Sequence, residues 1–328
     1  KKKKKRKMKI NVLAENLKKG LSIVMRGVST RVQLPILSTI LLKASKEGLV
    51  LSSSDLELSF RVKVRAKVSE EGEIAVPAKL FADLAATLPV GVVDLSDKKQ
   101  TLIIEGEKVR AEVVGQSSEE FPALPKAKGK GLEIGVAELV EKVERVGVAA
   151  AKDDARPILA GVLWVLDKKQ ITLAATDGYR LGVDYFKNDI PETLGDSQKF
   201  VLPVRALMEL VRVLEPSMKT VKVEFDNDKQ QVIFLADDIE MSSRLIAGEF
   251  PPYTKVIPTE KKITVVIDKE ALLEAVKRAS LFARDNANVV KLAVTGEGVA
   301  VTAQSDQMGG SQTTIEAEVE GDEVTIAF

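Results

Sequence analysis

The feature that most constrains this chain is that it repeats itself. LPILSTILL at Leu34–Leu42 resembles RPILAGVLW at Arg156–Trp164, and in both copies an Asp follows the Pro by 20 residues, Pro35 to Asp55 and Pro157 to Asp177. SSSDLELSF, AATDGYRLG and AQSDQMGGS, around Asp55, Asp177 and Asp306, stand in the same place after an apolar strand, so a third copy exists. Upstream of each lies a strand leading into a helix: NVLAENLKKGLSIVMRGV, GVAELVEKVERVGVAAA and IDKEALLEAVKRASLFA. A second unit alternates with the first. EIAVPAKLFADLAATLP at Glu73–Pro89 matches KFVLPVRALMELVRVLEP at Lys199–Pro216, and both units close on EFP, at Glu120–Pro122 and Glu249–Pro251. The chain reads A, B, A, B, A, and EVTIAF at Glu323–Phe328 opens a further B. Units of this kind bury their apolar faces against neighbours, so about fifty more residues are expected to complete the last one.

Each unit reads as one helix with a few short strands, and two units make a domain of ordinary size. Period-two alternation implies antiparallel sheets with one apolar face, covered by helices. The expected class is α+β, three repeated domains at residues 8–127, 128–254 and 255–328, the third incomplete, after a basic, disordered extension at 1–7. Pro77 and Pro203 stand where the strands enter helices, a position at which a missing N–H costs nothing.

Composition narrows the chemistry. The 328 residues include no Cys and no His, which excludes thiolate nucleophiles, imidazole bases and the usual zinc ligands. With no secretory segment and no apolar run long enough to span a bilayer, a cytoplasmic protein without membrane contact is expected. The opening KKKKKRK holds seven positive charges, so the net +1 of the whole becomes −6 for residues 8–328.

Against that acidic background, cations recur on helix faces. Leu13, Leu17, Leu21, Val24 and Val28 form the apolar stripe of the first helix, while Lys19 and Arg26 share another face. Arg205 and Arg212 do the same opposite the stripe Leu207, Leu210, Val211 and Leu214, and Lys142 and Arg145 are neighbours at i, i+3. Lys79 and Lys277 add candidates on two further helices. Glu138, Glu141, Glu144 and Glu209 dilute each face taken alone. Their recurrence on equivalent helices suggests a common lining for phosphates, using charge without base readout. No aromatic platform for single strands is visible. ATDGYRLG at Ala175–Gly182 reads first as a hairpin turn, because Asp-Gly tolerates positive φ at both turn positions.

LPIL, ATDGYRL and EFPPY together resemble the bacterial DNA polymerase III beta subunit, the replication sliding clamp, over essentially all of residues 8–328. The resemblance implies a non-catalytic processivity factor without cofactor or metal: a head-to-tail homodimeric ring of six domains, lined by helices, through which double-stranded DNA threads regardless of sequence. It implies that Arg31 and Arg156 contact DNA. It assigns Leu159, Thr176, Gly178, Tyr179, Arg180, Leu181, Pro251, Tyr253 and Val256 to a groove for short peptides of the replicative polymerase, clamp loader and repair proteins. It gives Leu281, Phe282 and the edge strand near Arg110 and Val113 to the dimer interface. Asp55, Asp177 and Asp306, common to all copies, are then turn formers that bond their own backbone.

Two alternatives use the same residues. Asp153, Asp154 and Asp177 could hold Mg²⁺ in a carboxylate-based hydrolase, although no phosphate loop is present. A protein-only scaffold could be built from the same repeats, with idle helix charges.

Overall fold

The computed structural model describes residues 7–29, 34–129, 131–153, 155–188, 190, 197–226 and 230–328. The chain divides into two compact units, Lys1–Pro251 and Pro252–Phe328. The first begins with β1 (Lys9–Leu13), α1 (Ala14–Val24), β2 (Thr39–Ser45), β3 (Gly48–Ser54), β4 (Leu58–Val64), β5 (Ala66–Glu70) and β6 (Gly72–Pro77). It continues through α2 (Ala78–Thr87), β7 (Val92–Lys98), β8 (Thr101–Gly106) and β9 (Val109–Val114). The pattern then recurs as β10 (Leu132–Gly135), α3 (Val136–Gly147), β11 (Gly161–Asp167), β12 (Gln170–Thr176), β13 (Leu181–Lys187) and β14 (Ser197–Pro203). It closes with α4 (Val204–Val213), β15 (Thr220–Asp226), β16 (Gln231–Ala236) and β17 (Ile239–Arg244). The second unit holds β18 (Ile263–Ile267), α5 (Lys269–Ala283), β19 (Lys291–Thr295), β20 (Gly298–Ser305), β21 (Gly309–Ile315), β22 (Ala317–Gly321) and β23 (Val324–Ala327).

Sheet order makes the repeats explicit. β4-β3-β2-β6, β13-β12-β11-β14 and β21-β20-β19-β23 are the same four-stranded arrangement, and β1-β7-β8-β9 matches β10-β15-β16-β17. Every pairing is antiparallel. Within the first unit two of these sheets fuse edge to edge: β17 pairs with β4, giving eight continuous strands. Glu240 lies opposite Arg61 and bonds it at 2.5 Å, and the hydroxyls of Ser59 and Ser242 meet at 2.5 Å inside the seam.

The helices press their apolar stripes onto the sheets. Leu17, Leu21 and Val24 of α1 and Leu139, Val143 and Val146 of α3 are all at most 2% exposed. They belong to one core that runs through both halves of the first unit, including Trp164, whose ring stacks on Phe200 at 5.8 Å. The second unit has a separate core, with Ala275, Ala279 and Ala283 of α5 facing Val294 and Val301.

Three expectations change. Leu13 is not part of the α1 stripe: it ends β1, stands at the helix N-cap and is 47% exposed. The Asp177-Gly178 hairpin is a four-residue loop, since Thr176 pairs with Leu181, and only Gly178 takes positive φ, +97°. Asp55 and Asp177 do fold back on their own backbone, each accepting from N–H groups two and three residues on. In the third copy Ser305 performs that task instead of Asp306, its hydroxyl accepting from Gln307 and Met308.

Candidate functional site

The helix cations are largely held by carboxylates. Arg26, one turn beyond α1, donates to Glu209 of α4 at 2.8 Å, and Arg212 meets the other oxygen of the same carboxylate. Lys19 pairs with Glu215 at 2.8 Å, and Arg205 with Asp55 at 3.0 Å. These contacts tie α1 and the first hairpin to α4, so the two halves of the first unit are linked on their helical side as well as through the β4–β17 seam. Lys142 and Arg145 both reach Asp184 on β13, at 3.1 and 2.8 Å, and Arg145 also meets Glu141. Lys142 is only 16% exposed, so its ammonium fastens α3 to the sheet rather than facing solvent. Burial alone would raise the Asp184 carboxyl, but bonds from Lys142, the Tyr185 N–H and Arg145 outweigh it and hold the group below the ordinary carboxylate value.

Lys79 and Lys277 are exposed, and among the described residues neither has an ion-pair partner. Arg156 turns toward the loop at Asp177, donating to its carbonyl at 3.1 Å. Arg31 lies outside the described residues. The counter-charges Glu209, Glu215 and Asp184 are the residues that sequence reading undervalued. Glu209 lies 183 positions from Arg26, and no local pattern links them.

The ATDGYRL loop is built from its acid. The Asp177 carboxylate accepts from Tyr179 N–H at 2.9 Å, Arg180 N–H at 3.1 Å and the Arg180 guanidinium at 2.9 Å. Burial pushes this carboxyl up, and the three donors more than offset that, leaving it below its usual value. Thr176 locks the loop from the other side, its hydroxyl donating to Arg180 O and accepting from Gly178 N–H. With the backbone so held, Tyr179 is thrust outward at 97% exposure, Arg180 and Gly178 are exposed, and Leu181 is half-buried. Leu159 is 3% exposed, a buried side chain. Pro251 is exposed at the end of the first unit. In the second unit Tyr253 and Val256 bound one 3-10 turn, with Val256 70% exposed.

The Asp177 carboxylate is thus occupied by its own loop, and Asp153 accepts from Ala155 N–H. Asp154 lies outside the described residues. Among the described residues no group of three or more carboxylates is arranged to hold a metal ion.

β9 and β21 stand at sheet edges. On β9 Arg110 is exposed and pairs with Glu105 and Glu112. Val113 points into the core at 1% exposure, so it offers only backbone to a partner, whereas Val114 faces outward at 74%. Near the end of α5, Leu281 is 54% exposed and Phe282 packs partly against the core of the second unit.

Among the described residues no helix is long and apolar enough to cross a membrane. Models of the DNA polymerase III beta subunit match the chain in three consecutive stretches: the N-terminal domain at residues 8–125, the central domain at 133–252 and the C-terminal domain at 254–328. The beta sliding clamp of Bacillus subtilis (strain 168) is 30% identical over 98% of this chain and 87% of its own length. That of Staphylococcus aureus (strain Mu50 / ATCC 700699) is 28% identical over 94% and 84%. Among solved structures, the DNA polymerase sliding clamp from Bacillus subtilis superposes with a TM-score of 0.90 at 30% identity, covering 98% of this chain and 87% of that one. A Pseudomonas aeruginosa sliding clamp bound to griselimycin gives 0.90 at 25% identity, with the same coverage. The chain belongs to the family of DNA polymerase III beta subunits, the beta sliding clamps.

Proposed function

We propose that two copies of this chain close head to tail into a ring around duplex DNA and slide along it in the cytoplasm, holding the replicative polymerase at the template. Membership in the family makes the protein a non-catalytic processivity factor of DNA polymerase. The observation that carries the ring is the β4–β17 seam. β21 is the counterpart of β4 and β9 the counterpart of β17, and each lies at the edge of its own sheet. Pairing β9 of one copy with β21 of the next repeats, between chains, a joint the fold already makes within one chain. Leu281 supplies exposed apolar surface near that joint in the proposed assembly.

The duplex is held by topology, so the lining needs only weak attraction to phosphate. Lys79, Lys277 and Arg156 are the cations readiest for it, with Lys19, Arg26, Arg205 and Arg212 available in exchange for their carboxylates. Arg31 is proposed beside Arg156 on the family resemblance. Lys142 and Arg145 contribute through Asp184, chiefly by holding α3 in place. Polymerase, clamp loader and repair proteins dock short peptides on the surface around Tyr179, Arg180 and Leu181, with Pro251, Tyr253 and Val256 as the further contacts, their apolar anchors dominating affinity.

Following the β4–β17 register, in which Glu240 faces Arg61, Arg110 of one copy should face Gln312 of the next, because Ile315 pairs with Val299 as Val64 pairs with Leu49. The chain has no Cys, so a variant carrying Arg110→Cys and Gln312→Cys reports directly. Oxidation should give covalently closed two-chain rings; a purely monomeric product, or open-ended ladders, would contradict the joint.

A further inference from the structure

The first unit contains a cavity of about 450 Å³ at the seam between its two halves, a size suited to a small ligand or a few residues of peptide. One wall is the first-copy loop: Ser54, Leu56, Glu57, Leu58 and Ser59. Another is the segment Pro122 to Lys128, and the end of β17 and Gln231 close the rest. Position for position, the first wall corresponds to Thr176, Gly178, Tyr179, Arg180 and Leu181, and Pro122 to Pro251. The backbones agree too: Leu56 takes φ +77° where Gly178 takes +97°, and Asp55 caps its loop as Asp177 does. The cavity is therefore the first-junction counterpart of the surface proposed above for peptides, and that analogy, though not the cavity itself, rests on the proposed function.

Its chemistry differs. Where the later loop presents Tyr179, Arg180 and Leu181, this one presents Glu57, Leu58 and Ser59, and Ser242 and Ser243 line the wall at 6% and 2% exposure. The serines are satisfied among themselves and by backbone. Gln231 is not: its side-chain carbonyl oxygen is buried without a hydrogen-bond partner. A buried acceptor of this kind favours a ligand that brings an N–H. Along the opposite wall, among the described residues, the backbone groups of Ala123, Leu124 and Lys126 make no hydrogen bond, while the carbonyl between them, Pro125 O, accepts from Arg61. An extended peptide satisfies both features, by backbone hydrogen bonds to these free groups and an amide to Gln231. Lys128 is neutralised by Asp226 at 3.1 Å. The remaining charges at the wall, Lys126 and Arg244 against Glu57, favour an acidic side chain on the occupant.

We infer that this junction is a second, diverged docking site that binds a short extended peptide carrying carboxylates between aliphatic residues. The test uses the full chain, ¹⁵N-labelled, titrated with the capped peptide Ac-Val-Glu-Leu-Glu-Val-NH₂ and, separately, with Ac-Val-Lys-Leu-Lys-Val-NH₂. Saturable amide shifts at Ser54–Ser59, Ala123–Ala127 and Ser242–Arg244, with Kd on the order of 1 mM or tighter for the acidic peptide, support the site. Lys126→Glu, at an exposed position that leaves the fold intact, should weaken binding at least about tenfold. Gln231→Leu should weaken it independently, while Arg180→Ala with Leu181→Ala should leave it unchanged. The site is overturned if these amides do not shift, if the basic peptide binds as tightly, or if shifts appear only at Thr176–Leu181 and Tyr253–Val256. That last result would spare the later groove and remove this one.

Discussion

The guanidinium of Arg26 donates to the carboxylate of Glu209 at 2.8 Å, joining the end of the first helix to α4 across 183 positions of sequence. Because Glu209 is only 15% exposed and also receives Arg212, it withholds two cations from any phosphate that approaches. In the proposed ring, a lining made of such pairs would attract DNA weakly, as sliding requires. Replacing Glu209→Gln keeps a hydrogen-bond acceptor and removes the charge. The salt slope of short-duplex binding, followed by fluorescence anisotropy, should steepen by about 1 to 2, one for each cation released, while stability falls by at most about 1 kcal/mol. An unchanged slope would mean that these arginines do not meet phosphate.

Asp184 makes the fold sensitive to acid. Its carboxyl sits below the ordinary value in the folded protein, so the unfolded chain takes up its proton first as pH falls. The stabilisation is complete above about pH 4 and is lost as pH drops through the depressed folded value. Asp184→Asn should cost about 1.5–3 kcal/mol at pH 7. In urea unfolding the gap between variant and parent should narrow at pH 3; an equal gap at both pH values would refute the assignment.

Gly20 lies within α1, where Ala ordinarily stabilises by up to about 1 kcal/mol. Here a methyl would come within 2.7 Å of Val64 Cγ2 and 3.1 Å of Leu51 Cδ1. Overpacking costs about 1–3 kcal/mol and should win, so Gly20→Ala is expected to lower the thermal midpoint. A rise would show that β3 and β4 can yield.

Arg180→Ala combined with Leu181→Ala removes one exposed and one half-buried side chain while leaving the Asp177 backbone turn. Affinity for a polymerase-derived peptide should fall at least about tenfold, with sedimentation of the two-copy assembly unaltered. Undiminished affinity would move the groove elsewhere.

How much of this was legible beforehand depends on the range of the interaction. The repeats, the strand and helix order and the Asp55 and Asp177 turns rest on neighbours within a few residues, and local chemistry decides them. Leu13 misled because its helical spacing from Leu17 was apolar, yet backbone pairing with Val92 keeps it in β1. Asp306 misled because Ser305, one position earlier, reaches the same N–H groups. The carboxylates that restrain the helix cations were hidden for a different reason. Asp55 and Arg205 are 150 residues apart and meet only after the two halves have joined. Val113 shows the limit for edge strands, where a shift of one residue turns a side chain from solvent to core.

Encirclement is tested most directly by retention. The protein, loaded onto a nicked circular duplex and washed in high salt, should remain bound until the circle is linearised and then leave through the ends. Equal retention on circular and linear duplex, or release from both in salt, would contradict a ring.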